Sequence, residues 1–267
     1  MQSLAGPSPL DENATMRPDC DSVELVSYQS LLWAIPVSIG AERPIFLLDT
    51  GAGITTVDAV LADQLGIVST SNMSGRRMSG EVVEIGLAEG LGISIGRVAI
   101  SHDTIGVYPL ASLLPDDWPP LGGAIGLPTF AGRPVTIDLA TRRLEFPDST
   151  GLSARAEASA PLSIRLAPDG PALDLFVEVS AADRSVWFEL DTGNAGPAVV
   201  APGVAESLGL NPEEPGVQEL RLELVGTRPV VTQAVVKPII HDGVLGLGFL
   251  TGRALTLDLP TCRAWIG

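Results

Sequence analysis

The chain carries the tripeptide Asp-Thr-Gly twice, at residues 49–51 and 191–193, and each copy directly follows an apolar run. With this content of Asp, Thr and Gly, two chance copies are expected in on the order of one comparable sequence in a hundred. A single copy would be ordinary turn chemistry at the end of a strand. Two copies in equivalent contexts predict instead that Asp49 and Asp191 are brought together.

The sequence around the two tripeptides is duplicated. Leu-Gly-Ile follows the first tripeptide at residues 65–67, and Leu-Gly-Leu follows the second at residues 208–210. Further on, residues 126–127 and 132–139 match residues 246–247 and 252–259, and the second half is about 23 residues shorter before these matches. A repeat of this length predicts two lobes that face each other across a pseudo-two-fold axis.

Composition and segment boundaries complete the predicted architecture. The 29 glycines and 22 prolines, with few long helical patterns, favour strands and turns, so the predicted fold class is all-β. Residues 1–22 mix Pro, Ser, Asp and Asn without periodicity and are expected to form a loose leader. An N-terminal lobe is expected over residues 23–154 and a C-terminal lobe over residues 155–267, joined by a linker rich in Ser, Ala and Gly at residues 149–161.

A second short element accompanies each tripeptide: Ala-Ile-Gly at residues 124–126 and Val-Leu-Gly at residues 244–246. With both elements in order in both halves, residues 23–267 resemble the pepsin-like and retropepsin-like aspartic proteases. The resemblance implies a bilobed fold, in which two β-barrel-like lobes with short helices enclose a cleft. It also implies a monomeric aspartic endopeptidase that acts on a peptide or protein substrate, accepts pepstatin-like inhibitors and needs no metal or other cofactor.

The resemblance assigns roles to the residues of the tripeptides. Asp49 and Asp191 would form the catalytic pair, because two carboxylates about 3 Å apart share one proton. One of them could then activate a water while the other polarises the scissile carbonyl. The threonines would brace the two loops across the axis, and the glycines would let the backbone approach the carboxylates closely. These supporting residues are Thr50, Gly51, Thr192 and Gly193.

A polar segment at residues 68–81, bounded by strand-like runs, occurs only in the first half. We interpret it as a β-hairpin flap over the cleft, and the alternative is a surface hairpin without a function. The flap of the resembled family carries a tyrosine, which this segment lacks, so a methionine is expected to supply the apolar contact. The flap and cleft residues predicted in this way are Met73, Ser74, Gly75, Met78, Ser79 and Gly80.

Two positions depart from the resembled pattern. Ala52 and Asn194 stand where the pepsin-like enzymes have a Ser or Thr, whose hydroxyl can donate to the ionised carboxylate. These departures, with the tyrosine-free flap, support a second hypothesis, a duplicated binding module without catalytic activity. A third hypothesis is a serine hydrolase that uses Ser94 in the Gly-x-Ser-x-Gly pattern of residues 92–96. It is disfavoured because strand-like residues, rather than a helix, follow the serine.

The charge and hydropathy of the chain exclude some classes of partner. The formal charge of −16 makes nucleic acid an unsuitable partner. The longest apolar stretch, residues 31–39, is far shorter than the roughly 20 residues needed to cross a bilayer, so no membrane span is expected. The first twenty residues lack a signal-peptide pattern, and a periplasmic or secreted location is a hypothesis.

The two cysteines and two histidines raise the questions of a disulfide and of a metal site. In the resembled family the terminal strands lie together, which would bring Cys20 close to Cys262. A bridge between them would contribute roughly 5 kcal/mol by chain-entropy reasoning, and the alternative is two unpaired buried thiols. The dipeptides His102-Asp103 and His241-Asp242 have no third ligand in a metal-binding pattern and are expected to be exposed turn residues.

Overall fold

The computed structural model describes residues 21–182, 184–224 and 227–267. Strands dominate, which confirms the all-β prediction. The predicted leader and Cys20 lie outside the described residues, except for residues 21 and 22, which begin the first strand.

The strands of the first half are β1 (Asp21–Glu24), β2 (Val26–Tyr28), β3 (Leu32–Pro36), β4 (Ile45–Leu48), β5 (Thr56–Asp58), β6 (Ser71–Arg76), β7 (Val82–Ile95), β8 (Val98–Tyr108), β9 (Gly123–Ile125), β10 (Val135–Asp138) and β11 (Arg143–Phe146). Those of the second half are β12 (Ala160–Leu162), β13 (Ile164–Asp169), β14 (Ala172–Ala181), β15 (Arg184–Leu190), β16 (Ala198–Val200), β17 (Val217–Leu224), β18 (Val230–Val236), β19 (Gly243–Leu245), β20 (Ala254–Asp258) and β21 (Arg263–Ile266). The helices are α1 (Ala59–Leu65), α2 (Ser149–Ala158), α3 (Pro202–Ala205) and α4 (Leu247–Leu250), with 3₁₀ turns at Leu110–Leu113, Leu127–Phe130, Glu206–Leu208 and Leu259–Thr261.

Two sheets are each built from one half of the chain. The N-terminal sheet has the order β2-β3-β4-β9-β5-β8-β7-β6, and the C-terminal sheet has the order β13-β14-β15-β19-β16-β18-β17. In each sheet, the strand before the tripeptide, β4 or β15, pairs in parallel with the strand of the second short element, β9 or β19. The two Asp-Thr-Gly loops therefore leave equivalent positions in the two sheets.

A six-stranded sheet, in the order β1-β11-β10-β20-β21-β12, joins the two halves. At its centre β10 pairs antiparallel with β20, and Thr136 lies opposite Thr256, its counterpart in the duplication. Their buried hydroxyl groups lie 2.9 Å apart and share a hydrogen bond. The duplicated segments thus meet with matching residues opposite each other, as a two-fold relation requires.

One cluster of buried apolar side chains extends through both halves. Leu48 and Leu190, which directly precede the two aspartates, belong to this cluster and are fully buried. Burial of a leucine side chain contributes about 1.5–3 kcal/mol. The strands that carry the two loops are therefore anchored in the core immediately before each aspartate.

Most of the predicted linker at residues 149–161 forms the helix α2, and the division of the chain into two lobes at this place stays a prediction. The Asp148 side chain caps the helix by accepting a 2.7 Å hydrogen bond from a backbone N–H of its first turn. Arg155 on the helix lies 3.3 Å from the Asp138 carboxylate and 2.5 Å from the Glu145 carboxylate. The lobe boundary predicted at residue 155 falls inside this helix, which is bound to β10 and β11.

Candidate functional site

The two Asp-Thr-Gly loops face each other. The carboxyl groups of Asp49 and Asp191 share a hydrogen bond, and both residues are partly exposed to solvent. The Asp49 N–H donates to the Ile125 carbonyl at 3.1 Å, and the Asp191 N–H donates to the Leu245 carbonyl at 3.0 Å. The second short element of each half therefore fixes the position of the neighbouring aspartate.

Thr50 and Thr192 connect the loops through a symmetric set of hydrogen bonds. The Thr50 N–H donates to Thr192 Oγ1 at 3.0 Å, and the Thr192 N–H donates to Thr50 Oγ1 at 3.0 Å. Each hydroxyl then donates to a carbonyl of the opposite half: Thr50 to Leu190 at 2.6 Å and Thr192 to Leu48 at 2.8 Å. Both threonines are buried. These bonds join the two halves whatever chemistry the acids perform.

The glycines of the tripeptides lie where a side chain has no room. A Cβ atom at Gly51 would lie 2.5 Å from Asp191 Cγ, and one at Gly193 would lie 2.5 Å from Asp49 Oδ1. Such distances are far inside van der Waals contact, so each glycine lets its loop pack directly on the opposite carboxyl. The pair of acids is thereby enclosed by both loops.

We expect Gly51→Ala to lower the free energy of unfolding by about 1–3 kcal/mol, because the added methyl group overpacks the loop against the Asp191 carboxyl. Chemical denaturation of the two proteins measures this difference. Gly132→Ala is the matched control, since open space surrounds Gly132, and it should change the free energy by less than about 0.5 kcal/mol. Equal effects of the two substitutions would contradict the packing shown here.

The electrostatics of the pair favour retention of a proton. Burial raises the pKa of both aspartates, and the neighbouring carboxyl of Asp191 raises the pKa of Asp49 further. Backbone groups act in the opposite direction: the Gly51 N–H donates to Asp49 Oδ1 at 3.1 Å, and the Gly193 N–H donates to Asp191 Oδ1 at 2.7 Å. Two carboxylates in contact cannot both ionise at low cost, so the pair shares one proton.

The residue after each tripeptide supplies no side-chain donor to the acids. Ala52 has no polar side chain, and the Asn194 side chain bonds within its own loop. Its Oδ1 accepts from the Gly196 N–H at 3.1 Å, and its Nδ2 donates to the Pro197 carbonyl at 3.5 Å. Backbone N–H groups therefore provide the support that a hydroxyl gives in the resembled enzymes.

A further carboxyl, which the sequence analysis did not single out, lies beside the acid pair. Glu189 in β15 is only 6% exposed. Burial, followed by the charges of the acid pair and of Asp174, raises the pKa of Glu189 to about 9. His241 Nε2 lies 3.7 Å from Glu189 Oε2, and burial lowers the pKa of His241. The sequence feature that could have indicated Glu189 is its position as an acidic residue inside an apolar strand, two residues before Asp191.

The predicted flap residues lie on the hairpin of β6 and β7. Residues 73–75 belong to β6, and residues 78–80 form the turn. This turn reaches the other half of the molecule, because the Ile240 N–H donates to the Met78 carbonyl at 3.1 Å. A Cβ atom at Gly80 would lie 3.3 Å from Ile240 Cγ2. The hairpin therefore spans from the N-terminal sheet to the loop that precedes β19.

Ser94 and the two histidines do not form the nucleophile and base of a serine hydrolase. Ser94 is in β7 opposite Ala99 of β8, so the strand–turn–helix of a nucleophile elbow is missing at this position. His102 was expected to be an exposed turn residue. It lies instead within β8 and is only 5% exposed, with its Nε2 atom 3.5 Å from Thr129 Oγ1. That prediction failed because a histidine can occupy an inward position of a strand when a hydroxyl contacts its ring.

The remaining sequence predictions concern a disulfide, metals and membranes. Cys262 is exposed, and its proposed partner Cys20 lies outside the described residues, so their pairing stays a prediction. Among the residues that the structure describes, no group of three or more His, Cys, Asp or Glu side chains is arranged to hold a metal ion. Within the same residues, every helix is too short or too polar to span a bilayer.

No known protein-family profile matches this chain, and no curated protein sequence is similar to it. Solved structures, in contrast, match almost its whole length. Basic 7S globulin from soybean has a TM-score of 0.60 at 10% identity, with 93% of this chain and 96% of the globulin covered. Conglutin gamma, a basic 7S globulin from lupine seeds, has a TM-score of 0.57 at 12% identity, with 94% and 95% covered. The protein EDGP has a TM-score of 0.61 at 10% identity, with 95% and 96% covered.

The chain shares its fold with the basic 7S globulins. On this comparison, the identification as a pepsin-like or retropepsin-like aspartic protease is wrong, and so are the endopeptidase activity and the protease class inferred from it. The physical reason is that an Asp-Thr-Gly repeat specifies a geometry and not a reaction. The threonine bonds and the tightly packed glycines join the two loops whether or not the acids react. At 10–12% identity the likeness concerns the fold alone.

Proposed function

We propose that this chain is a two-lobed binding protein that takes an extended polypeptide segment into the cleft between its lobes and releases it unchanged. In this proposal the lobes span residues 23–154 and 155–267, and the acid pair forms the polar floor of the cleft. The observation that carries the proposal is the pair of facing loops, whose partly exposed aspartates lie between two halves that the hairpin of β6 and β7 connects.

An extended polypeptide suits the polar groups of this cleft. The strand β6 of the hairpin lies at the edge of the N-terminal sheet, so its outer backbone N–H and C=O groups are free of a neighbouring strand. Such an edge can pair with an added strand. The acid pair offers both a protonated carboxyl, which donates, and a carboxylate, which accepts. These groups complement the carbonyl and N–H groups of a peptide backbone.

Three features favour binding over hydrolysis. Neither Ala52 nor Asn194 donates a hydrogen bond to the carboxylates. The turn of the hairpin is hydrogen-bonded to Ile240, which connects the hairpin to the other half of the molecule. In addition, two of the matching solved structures named above are globulins.

Affinity selection from a library of ten-residue peptides tests the proposal, with mass spectrometry of bound and unbound fractions between pH 3 and pH 7. We expect a subset of peptides to bind saturably and to be recovered intact. Asp191→Asn should weaken their binding about ten- to a hundredfold, because a hydrogen bond to a charged group contributes about 1.5–3 kcal/mol. Asp116→Asn is the matched control, since Asp116 is exposed and distant in sequence from both tripeptides.

Two results would overturn the proposal. If no peptide is enriched over the whole pH range, the cleft does not bind polypeptides. If new peptide termini accumulate with the wild-type protein and disappear with Asp49→Asn, the protein hydrolyses its ligand, and the proposed release of unchanged ligand is wrong.

A further inference from the structure

We propose that Glu189, together with Asp174 and the acid pair, forms a subsite for one organic cation of the ligand, such as a lysine or arginine side chain or a free amino group. This inference rests on the proposed function and adds a chemical preference to it. It concerns a carboxyl that the binding of a peptide backbone does not require.

The position of Glu189 in β15 directs its side chain to the same face as the acid pair. Successive residues of a strand point to opposite faces, so Trp187, Glu189 and Asp191 share one face, whereas Phe188 points into the core. Glu189 lies opposite Phe176 of β14, and Asp174 lies two residues before Phe176 on the same face.

This face of β14 meets the first Asp-Thr-Gly loop. A Cβ atom at Gly53 would lie 2.9 Å from Asp174 Oδ1, and the Leu173 N–H donates to the Gly53 carbonyl at 2.8 Å. The carboxyls of Asp174, Glu189 and the acid pair therefore belong to one continuous surface between the two halves.

The Glu189 carboxyl makes no hydrogen bond with the described residues, and its oxygens keep contact with solvent, since every fully buried side-chain oxygen or nitrogen among those residues has a partner. Its side chain is 8% exposed, and its one close polar neighbour is His241 Nε2 at 3.7 Å, which is beyond hydrogen-bonding distance. A cationic ligand group that reaches the carboxyl would supply the hydrogen-bond donor that the described residues do not provide.

The charges around Glu189 favour a cation as that ligand. Besides the acid pair, the titratable and charged residues on the surrounding elements are Asp174, Asp169, Glu178, Arg165, His241 and Asp242. The Arg165 guanidinium is stacked on the rings of Phe176, at 5.2 Å, and Trp187, at 5.0 Å. His241 is neutral near pH 7 because burial lowers its pKa. Carboxyls therefore outnumber cations around the site, and their field attracts positive charge.

The site suits an organic cation better than a metal ion. The described carboxyl and imidazole groups are not arranged to coordinate a metal. An ammonium or guanidinium group needs only hydrogen-bond acceptors and a negative field, and charge-assisted bonds to carboxylates are strong. A single cationic side chain of a bound peptide could reach Glu189 while the peptide backbone contacts the acid pair.

Binding of a cation should also release a proton. With a pKa of about 9, Glu189 is protonated in the empty site at pH 7, whereas a neighbouring positive charge favours the ionised form. The preference for a cationic ligand should therefore strengthen as the pH rises from 6 toward 9, by up to about tenfold per pH unit for one linked proton.

Paired peptides test the inference. Peptides that bind in the library selection are resynthesised with lysine or with norleucine, which has a similar length but no charge, at each position in turn. At pH 8 we expect lysine at one position to bind the wild-type protein at least tenfold more tightly than norleucine. Glu189→Gln should reduce this ratio to about one, and Glu219→Gln, at an exposed position of the same sheet, should preserve it. Calorimetry in buffers of different ionisation enthalpy should show proton release for the lysine peptide only.

The outcomes separate this inference from the proposed function. If peptides bind equally well with lysine and norleucine at every position, the cation subsite is wrong while peptide binding stands. The same conclusion follows if the lysine preference survives in Glu189→Gln. If no peptide binds at all, both proposals fail.

Discussion

At pH 8, Glu189→Gln should raise the free energy of unfolding by on the order of 3–5 kcal/mol. The pKa of Glu189 is raised from its ordinary value of 4.5 to about 9 in the folded protein. Between these two values the folded state binds a proton that the unfolded state has released. Stability therefore falls as the pH rises through this window. Glutamine stays neutral in both states and does not incur this cost.

The decisive measurement is how the difference in the free energy of unfolding between Glu189→Gln and the wild-type protein depends on pH. Chemical denaturation at pH 4.5, 6, 7 and 8 should show a difference that is near zero at pH 4.5 and increases steadily toward pH 8. Glu219→Gln, which changes an exposed side chain, should follow the wild-type curve at every pH. A constant gap, or a variant that is less stable at pH 8, would show that Glu189 is ionised or bonded in the folded protein.

Thr192→Val should lower the free energy of unfolding by about 2–4 kcal/mol. Valine keeps the shape of threonine but removes the hydroxyl, which leaves the Thr50 N–H and the Leu48 carbonyl without their partner from the other half. Both groups lie in a buried environment, where an unsatisfied polar group costs about 1–3 kcal/mol. The unfolding midpoint in urea, with an unchanged denaturant dependence, would show the loss.

Thr141→Val provides the control for this substitution, because Thr141 is exposed and makes its hydrogen bond to Asp138 through the backbone N–H. It should leave stability within about 0.5 kcal/mol of the wild-type value. The double variant Thr50→Val, Thr192→Val should lose less than the sum of the two single losses, since the residues share one network. Full additivity would show that the two hydroxyls act independently.

Much of the architecture could be predicted from the sequence because it depends on local and repeated signals. The duplicated tripeptides indicate equivalent loops, and the all-β class follows from the spacing of Gly, Pro and apolar residues. The opposition of Thr136 and Thr256 also reflects the duplication, since matching segments pair across the centre of the joining sheet. The helix α2 was missed because its stability depends on the Asp148 cap and on the distant partners of Arg155.

The chemistry of the site could be predicted only in part. The proximity of the acids follows from the repeat, but the burial of Glu189 depends on which residues of β14 and β19 lie beside it, and that register is set by the whole sheet. Hydrolysis was predicted because the same tripeptides occur in enzymes. Their threonines and glycines are also needed to hold the loops together, so their presence does not distinguish a reactive pair from an inert one.

The contact between Met78 and Ile240 has a kinetic consequence. If an extended polypeptide is bound beneath the hairpin, as proposed above, the hydrogen bond from Ile240 to Met78 must break before the ligand enters. At high ligand concentration the speed of capture then depends on how often the hairpin lifts and no longer on diffusion. A captured ligand would be held behind the same barrier, and a modest equilibrium affinity would be accompanied by a long residence time.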